Sequence, residues 1–278
     1  MQAIPVGSAM NFETLAVSEA DGVARIELSR PDKANAFNGA MWKEIKAAFE
    51  WLSASELRVG VLSGQGKHFT AGVDLEFLVA TSSEVRSLPQ GRRQERLRDW
   101  ILDLQSTISA AEFCRKPVLA AVHGACIGAG IDLVTACDMR YATHDARFSV
   151  KEIDVAIVAD VGTLQRLPRL VGDGLARELA YTGREFDGHE ARAMGLVNQV
   201  FPDKDSLMKH VMALATSIAR KSPLTVRGIK DTLNYSRDHS VAAGLEYVAL
   251  RNAGALLSSD LDEAIAARSQ KRDAVFRD

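Results

Sequence analysis

Three carboxylates between positions 132 and 160 stand where carboxylates are costly. Asp132, Glu152 and Asp160 are each set among Val, Ile and Ala, and a buried acid without a partner loses its hydration. Such an acid is protonated, paired or catalytic. Acids with raised pKa values suit the removal and return of protons near neutral pH. Each also has a plainer reading. Asp132 can face the dipole at a helix start, Glu152 can be a surface acid beside Lys151, and Asp160 can cap a helix from Val161 onward. Asp154 reads as a solvated or structural acid.

Two glycine-rich turns accompany the acids. Gly124-Ala-Cys-Ile-Gly128-Ala-Gly130 follows an apolar strand over 118–122 and opens a helix with Asp132 in its first turn. Gly64-Gln-Gly-Lys-His-Phe-Thr-Ala-Gly-Val-Asp74 follows a strand over 59–63 and leads into a helix from Leu75. Turns of this form aim backbone N–H groups into a cleft at a helix N-terminus, where they cradle a phosphate or polarise an oxyanion. Their glycines can equally serve tight packing alone. Neither turn matches GxxxxGK[ST], and no GxGxxG is present. His68 and His123 flank the turns without metal-ligand spacing and read as hydrogen-bonded structural residues. Cys126 has no identifiable His–acid partner for nucleophilic work.

The elements that must position these groups follow a β/α pattern. Segments 12–17 and 23–28 read as a hairpin over Asp21-Gly22, and Asn38 as the cap of a helix over 39–53. Pro89 and Gly91 make the first half of the charged segment 84–98 a loop, before a long amphipathic helix that ends at Lys116-Pro117. A strand is expected at 140–143, helices at 163–171 and 174–181, a helix at 188–194 capped by Asp187, and a last strand at 197–201. From 205 onward the pattern is helical, over 206–221, 223–235, 241–257 and 261–273. The change divides the chain into a β/α core with the site (1–202) and a C-terminal helical region (203–278).

Composition removes several classes of function. The 34 basic and 36 acidic residues are spread along the chain, so there is no electrostatic footprint for nucleic acid or an anionic membrane. Cys114, Cys126 and Cys137 are odd in number and form no CxxC, against a disulfide scaffold or a cysteine zinc site. No run approaches the length of a membrane span. The start lacks a basic-then-apolar signal and the end is not of SKL type, which gives a cytoplasmic expectation.

Several phrases together carry a family resemblance. They are Lys67-His-Phe-Thr-Ala-Gly-Val-Asp-Leu75, Pro117-Val-Leu-Ala-Ala-Val-His-Gly124 with its Gly128-Ala-Gly130 turn, Ala136-Cys-Asp138, Thr163-Leu-Gln-Arg-Leu-Pro168, Thr182-Gly183 and Ala191-Arg-Ala-Met-Gly-Leu-Val197. In order and spacing, over nearly the whole chain from Phe12, they resemble the crotonase (enoyl-CoA hydratase/isomerase) superfamily. The resemblance implies an α/β fold, a crotonase-like spiral of repeated ββα units with a C-terminal all-helical trimerisation region. It implies a homotrimer, or a homohexamer built as a dimer of trimers. It also implies an acyl-CoA thioester substrate and no cofactor, coenzyme A being part of that substrate. The family's oxyanion hole falls on the backbone N–H groups of Val73 and Ala129, the latter where many members have Gly. Lys33, Ala34, Ala71, Asp74 and Leu75 match positions near the CoA. Lys271 or Arg272 is implied to meet its 3′-phosphate across a subunit boundary.

The acids decide the subtype that the resemblance implies. The two catalytic glutamates of hydratases align with Asp132 and Glu152, but hydratases carry Gly at the place of Asp160. Asp, Glu and Asp at the three places resemble the dienoyl-CoA isomerases. Their reaction moves double bonds from the 3,5 to the 2,4 positions, removing a proton at C2 and adding one at C6. Four bonds separate those carbons, so two acids suit the task better than one. Glu152 and Asp160 would be that pair, with Asp132 orienting or tuning them. Ile153, Val155, Ile157, Val158 and Val161 are expected to raise the acids' pKa values and exclude water. The rival readings are an enoyl-CoA hydratase or other lyase, and a non-catalytic acyl-CoA or RNA-binding relative.

Overall fold

The computed structural model describes residues 12–277. A hairpin opens it: β1 (Leu15–Ala20) turns at Asp21 and Gly22 and returns antiparallel as β2 (Val23–Leu28). Asn38 caps α1 (Gly39–Ala54), its side chain accepting from the Met41 N–H at 2.9 Å. β3 (Val59–Gly64), α2 (Leu75–Ser87) and α3 (Gln90–Phe113) follow. Two β–β–α units come next. The first is β4 (Val118–Val122), β5 (Ala125–Ile127) and α4 (Ala129–Ala136); the second is β6 (Met139–Thr143), β7 (Arg147–Ser149) and α5 (Thr163–Val171). Then come α6 (Asp173–Thr182), β8 (Phe186–Asp187), α7 (Gly188–Ala193) and β9 (Gln199–Phe201). Four helices end the chain: α8 (Lys204–Ala219), α9 (Pro223–Arg237), α10 (Val241–Ala255) and α11 (Ser259–Ser269).

The first strand of each unit joins a large sheet, β1-β2-β3-β4-β6-β9, and the second joins a small one, β5-β7-β8. β4 lies parallel to β6, and β5 parallel to β7, so the chain winds as a spiral. Thr70 bridges to Cys126 and extends the small sheet back toward the preceding turn of that spiral.

Side-chain alternation assigns each face of the large sheet its cover. Val59, Val61, Leu119 and Ala121 pack with Leu207, Val211 and Ala215 of α8. Leu62, Val118, Ala120 and Val122 share the other core with Ile45 and Phe49 of α1 and Ile108 of α3. The composition shift near 202 is therefore a change of element type, and α8 beyond it is part of the core. Large apolar side chains stay exposed on the later helices, among them Leu233, Val241, Leu245, Leu250 and Ile265.

Two expectations need correction. Residues 84–98 are not half loop: only Leu88 and Pro89 separate α2 from α3. Pro89 sits at the N-cap of α3, at a helix start that tolerates its missing N–H, and Gly91 lies inside the helix. The small sheet escaped the sequence reading, because strands of two or three residues carry too little alternation to register. Among the described residues, no helix is long and apolar enough to cross a membrane.

Candidate active site

Beyond the C-terminal ends of β3 and β4 the two glycine-rich segments run side by side. Phe69 N–H donates to the His123 carbonyl at 2.8 Å, Thr70 N–H to Ala125 at 2.9 Å, and Ile127 N–H returns to Thr70 at 3.1 Å. Gly72 has φ +91°, and a β-carbon there would stand 2.8 Å from the Ile127 carbonyl oxygen and 3.7 Å from the Ala129 nitrogen. Only glycine allows that approach. It brings the peptide entering Val73 against the start of α4. Among the described residues neither the Val73 nor the Ala129 N–H has a protein acceptor. Ala129 is the first residue of α4, where the N–H is free of the helix ladder and lies at the positive end of the dipole. A carbonyl oxygen between the two would receive both.

The three acids gather beside this pair. Asp132, on the inward side of α4, is fully buried; its Oδ1 accepts the Thr163 N–H at 2.6 Å, and its Oδ2 has no partner among the described residues. Glu152 lies in a 3-10 turn (Lys151–Val155), with Oε1 only 3.1 Å from where a β-carbon on Gly128 would stand. Its Oε2 is buried and likewise unpartnered. Asp160 is half-buried in the loop before α5, its carbonyl accepting from Gln105 Nε2 at 2.6 Å.

Electrostatics follow from this placement. Burial pushes Asp132 up to about 6, against the pull of the Thr163 hydrogen bond, and the charge of Asp160 adds to the rise. Burial, then the neighbouring charge of Asp132, lifts Glu152 to about 7. Burial also raises Asp160. A group titrating near neutrality can take or give a proton there.

Asp132 does stand in the first turn of α4, but the plainer readings of Glu152 and Asp160 do not describe their positions. Lys151 pairs with Asp154 at 2.7 Å, which leaves Glu152 to turn inward. Asp160 caps nothing, since α5 starts at Thr163 behind Gly162. The apolar neighbours behave otherwise than expected: Ile153, Val155 and Val158 are exposed, Ile157 is half-buried, and only Val161 is buried. A single 3-10 turn has one inward side and Glu152 occupies it, so Ile153 and Val155 face out and, with Val158 of the loop that follows, form an exposed rim. Asp132 is buried, and Glu152 and Asp160 are half-buried, by the elements around them instead.

Of the positions matched to the CoA, five lie at one edge. Lys33 and Ala34 end a 3-10 turn (Pro31–Lys33), and the Ala34 carbonyl accepts the Ala71 N–H at 2.9 Å. Asp74 caps α2 through the Glu76 N–H at 3.1 Å and pairs with Arg30 at 3.0 Å, so its carboxylate is already engaged. Leu75 beside it is exposed. Lys271 is not brought to this edge. It follows α11, in a tail whose Phe276 carbonyl accepts from Arg58, the residue preceding β3, at the opposite end of that strand. Arg272 is held by Glu263 at 2.5 and 2.8 Å.

His123 Nε2 lies 3.0 Å from the Gly66 carbonyl and His68 Nδ1 accepts the Ala125 N–H at 3.1 Å, both structural contacts. The Cys126 thiol is pushed up by burial, which makes it a poor nucleophile. Among the described residues no cluster of His, Cys, Asp and Glu could hold a metal. Sequence reasoning missed Gln105, Glu112, Thr163 and Arg166. The one available signal was Arg166, the single charged residue of the Thr163-Leu-Gln-Arg-Leu-Pro168 motif.

A family model described as enoyl-CoA hydratase/isomerase matches residues 18–278. A peroxisomal Delta(3,5)-Delta(2,4)-dienoyl-CoA isomerase of Arabidopsis thaliana is 48% identical over 256 residues, spanning 91% of this chain and 92% of that protein. The mitochondrial protein of the same name from Rattus norvegicus is 45% identical over 267 residues, 95% of this chain and 82% of its own. Among solved structures, an enoyl-CoA hydratase from Bacillus anthracis has a TM-score of 0.86 at 30% identity, covering 95% of this chain and 99% of that one.

Proposed function

This chain belongs to the enoyl-CoA hydratase/isomerase family, and we propose that within it the protein converts 3,5-dienoyl-CoA to 2,4-dienoyl-CoA. One observation carries the reading: Asp160 adds a further carboxylate to the field of Asp132 and Glu152, where a hydratase would have glycine. The similarity to named dienoyl-CoA isomerases supports it.

The thioester oxygen lies between the Val73 and Ala129 N–H groups. One of Glu152 and Asp160 takes a proton from C2, and the charge spreads from the oxygen to C6 as a dienolate. The other acid delivers a proton at C6. Each hole donor contributes about 3–4 kcal/mol to holding the oxyanion. Proton transfer of this kind requires no cofactor. The edge formed by Lys33, Ala34, Ala71, Asp74 and Leu75 receives the CoA, and Lys271 reaches it only from another copy. The exposed apolar side chains of α9–α11 support a homotrimer or homohexamer, which light scattering tests. The relatives above are named mitochondrial and peroxisomal; cytoplasmic residence of this chain is a proposal that cell fractionation tests.

The deciding assay follows ultraviolet absorbance with a 3,5-dienoyl-CoA beside a 2-enoyl-CoA control. Growth of the conjugated 2,4-dienoyl band, reduced about 10²–10⁴-fold in Asp160→Asn and in Glu152→Gln, is the expected result. Loss of the 2-enoyl band with no diene conversion would identify a hydratase and overturn the reading of Asp160.

A further inference from the structure

Three side chains on one face of α3 grip the segment that carries Asp160. Gln105, Ser109 and Glu112 are spaced four and three residues apart, which stacks them along a helix. Gln105 Nε2 donates to the Asp160 carbonyl at 2.6 Å. Arg166 Nη2 donates to Ser109 Oγ at 3.0 Å, and Arg166 Nε and Nη2 donate to Glu112 Oε2 at 3.0 and 2.5 Å. The guanidinium lies against Gly162, where any β-carbon would collide with it. Glu112 is 6% exposed and is met from its other side by Arg237 of α9. Desolvation offsets most of the attraction in such a buried pair, so its stabilisation is modest, and fixing registry is its best-attested use. What it registers here is specific. One turn before Arg166, the Thr163 N–H holds Asp132, and Asp160 stands three residues before Thr163.

We propose that Gln105, Glu112 and Arg166 are positioning residues, which hold Asp160 and the Asp132–Thr163 contact in the geometry that proton transfer at the two ends of the diene requires. The inference rests on the proposed roles of Glu152 and Asp160. None of the three residues needs to touch the substrate. Arg166 is also the cation facing Asp132; the other ionisable groups facing that acid are Asp160, Glu152 and the Cys126 thiol, while Glu112 and the Cys137 thiol face Arg166.

Steady-state kinetics and pH profiles of the full chain test this with Gln105→Met, Arg166→Met and Arg166→Lys. In Arg166→Met kcat falls about 100-fold while KM stays within about threefold, because displacement of a reacting group by an ångström costs that much. The acid limb of its kcat/KM profile shifts from its wild-type place, since the cation facing Asp132 is gone and the charge of Asp132 acts on Glu152. Arg166→Lys returns the limb to its wild-type place but recovers kcat only in part, because an ammonium lacks the guanidinium fork. Gln105→Met keeps side-chain length, removes one donor, and lowers kcat by up to about tenfold with thermal unfolding near wild type. If Arg166→Met does not fold, Gln105→Met and Arg166→Lys decide. Wild-type kcat in both overturns the inference while the wild-type enzyme still converts the diene. A wild type that does not convert it overturns the functional reading, and this inference with it.

Discussion

The two glycine-rich turns share a form and part company over their acids. Each follows a strand of the large sheet, each carries a glycine at positive φ, and each offers an N–H without an acceptor among the described residues, from Val73 and from Ala129. Asp74, at the N-cap of its helix, satisfies the Glu76 N–H and pairs with Arg30. Asp132 stands inside its helix, one oxygen on Thr163 and the other buried without a partner among the described residues. Register makes the difference. An acid at the N-cap faces its own helix's orphan donors, whereas an acid one turn later faces whatever the helix packs against. Two equivalent turns thus build a symmetric pair of donors and an asymmetric pair of carboxylates.

The equivalence of the donors is the first point to attack. Ala129→Pro removes a single N–H at the first position of α4, where proline's φ is accepted. It should lower kcat about 10²–10³-fold with the fold intact by circular dichroism. Wild-type turnover would remove Ala129 from the hole and leave the two turns unlike in both respects.

The asymmetry of the acids predicts stability changes of opposite sign. Asp132 ionises at about 6 in the folded chain against an ordinary 3.8, so the folded state favours its protonated form. That stability is complete below pH 4 and is lost as pH rises through 6, a difference of about 3 kcal/mol. Asp132→Asn, which keeps an acceptor for Thr163, should therefore be more stable than wild type at pH 8 and match it at pH 4, by urea midpoints at the two pH values. Asp74→Asn should do the reverse at pH 8. It should lower stability by about 1 kcal/mol, the worth of a weakened cap and a partly exposed ion pair. Two destabilising changes of equal size would show that the acids differ less than their surroundings suggest.

Features written locally were legible in the sequence. Asn38 and Asp187 cap the helices expected of them, with side chains accepting from Met41 and Glu190. The acids stood out because carboxylates among valines are improbable by chance of burial alone. Features made by packing were hidden. Gln105 and Glu112 sit on a charged helix and look like solvated residues, and their partners lie 55 and 54 positions away. The exposed rim at Ile153, Val155 and Val158 was misjudged for the same reason: hydrophobicity along a chain does not say which side of a single turn faces in. Pro89 reads as a loop former in the sequence and stands at a helix start in the fold.

The seat of α8 on the sheet has a consequence for how the chain is made. The last strand is complete at Phe201, yet the face carrying Val59, Val61, Leu119 and Ala121 has no cover until residues up to Ala219 exist. During synthesis the strands leave the ribosome long before their lid does. The nascent chain must therefore hold a bare apolar sheet through much of elongation, the interval in which chaperones bind and neighbouring chains aggregate.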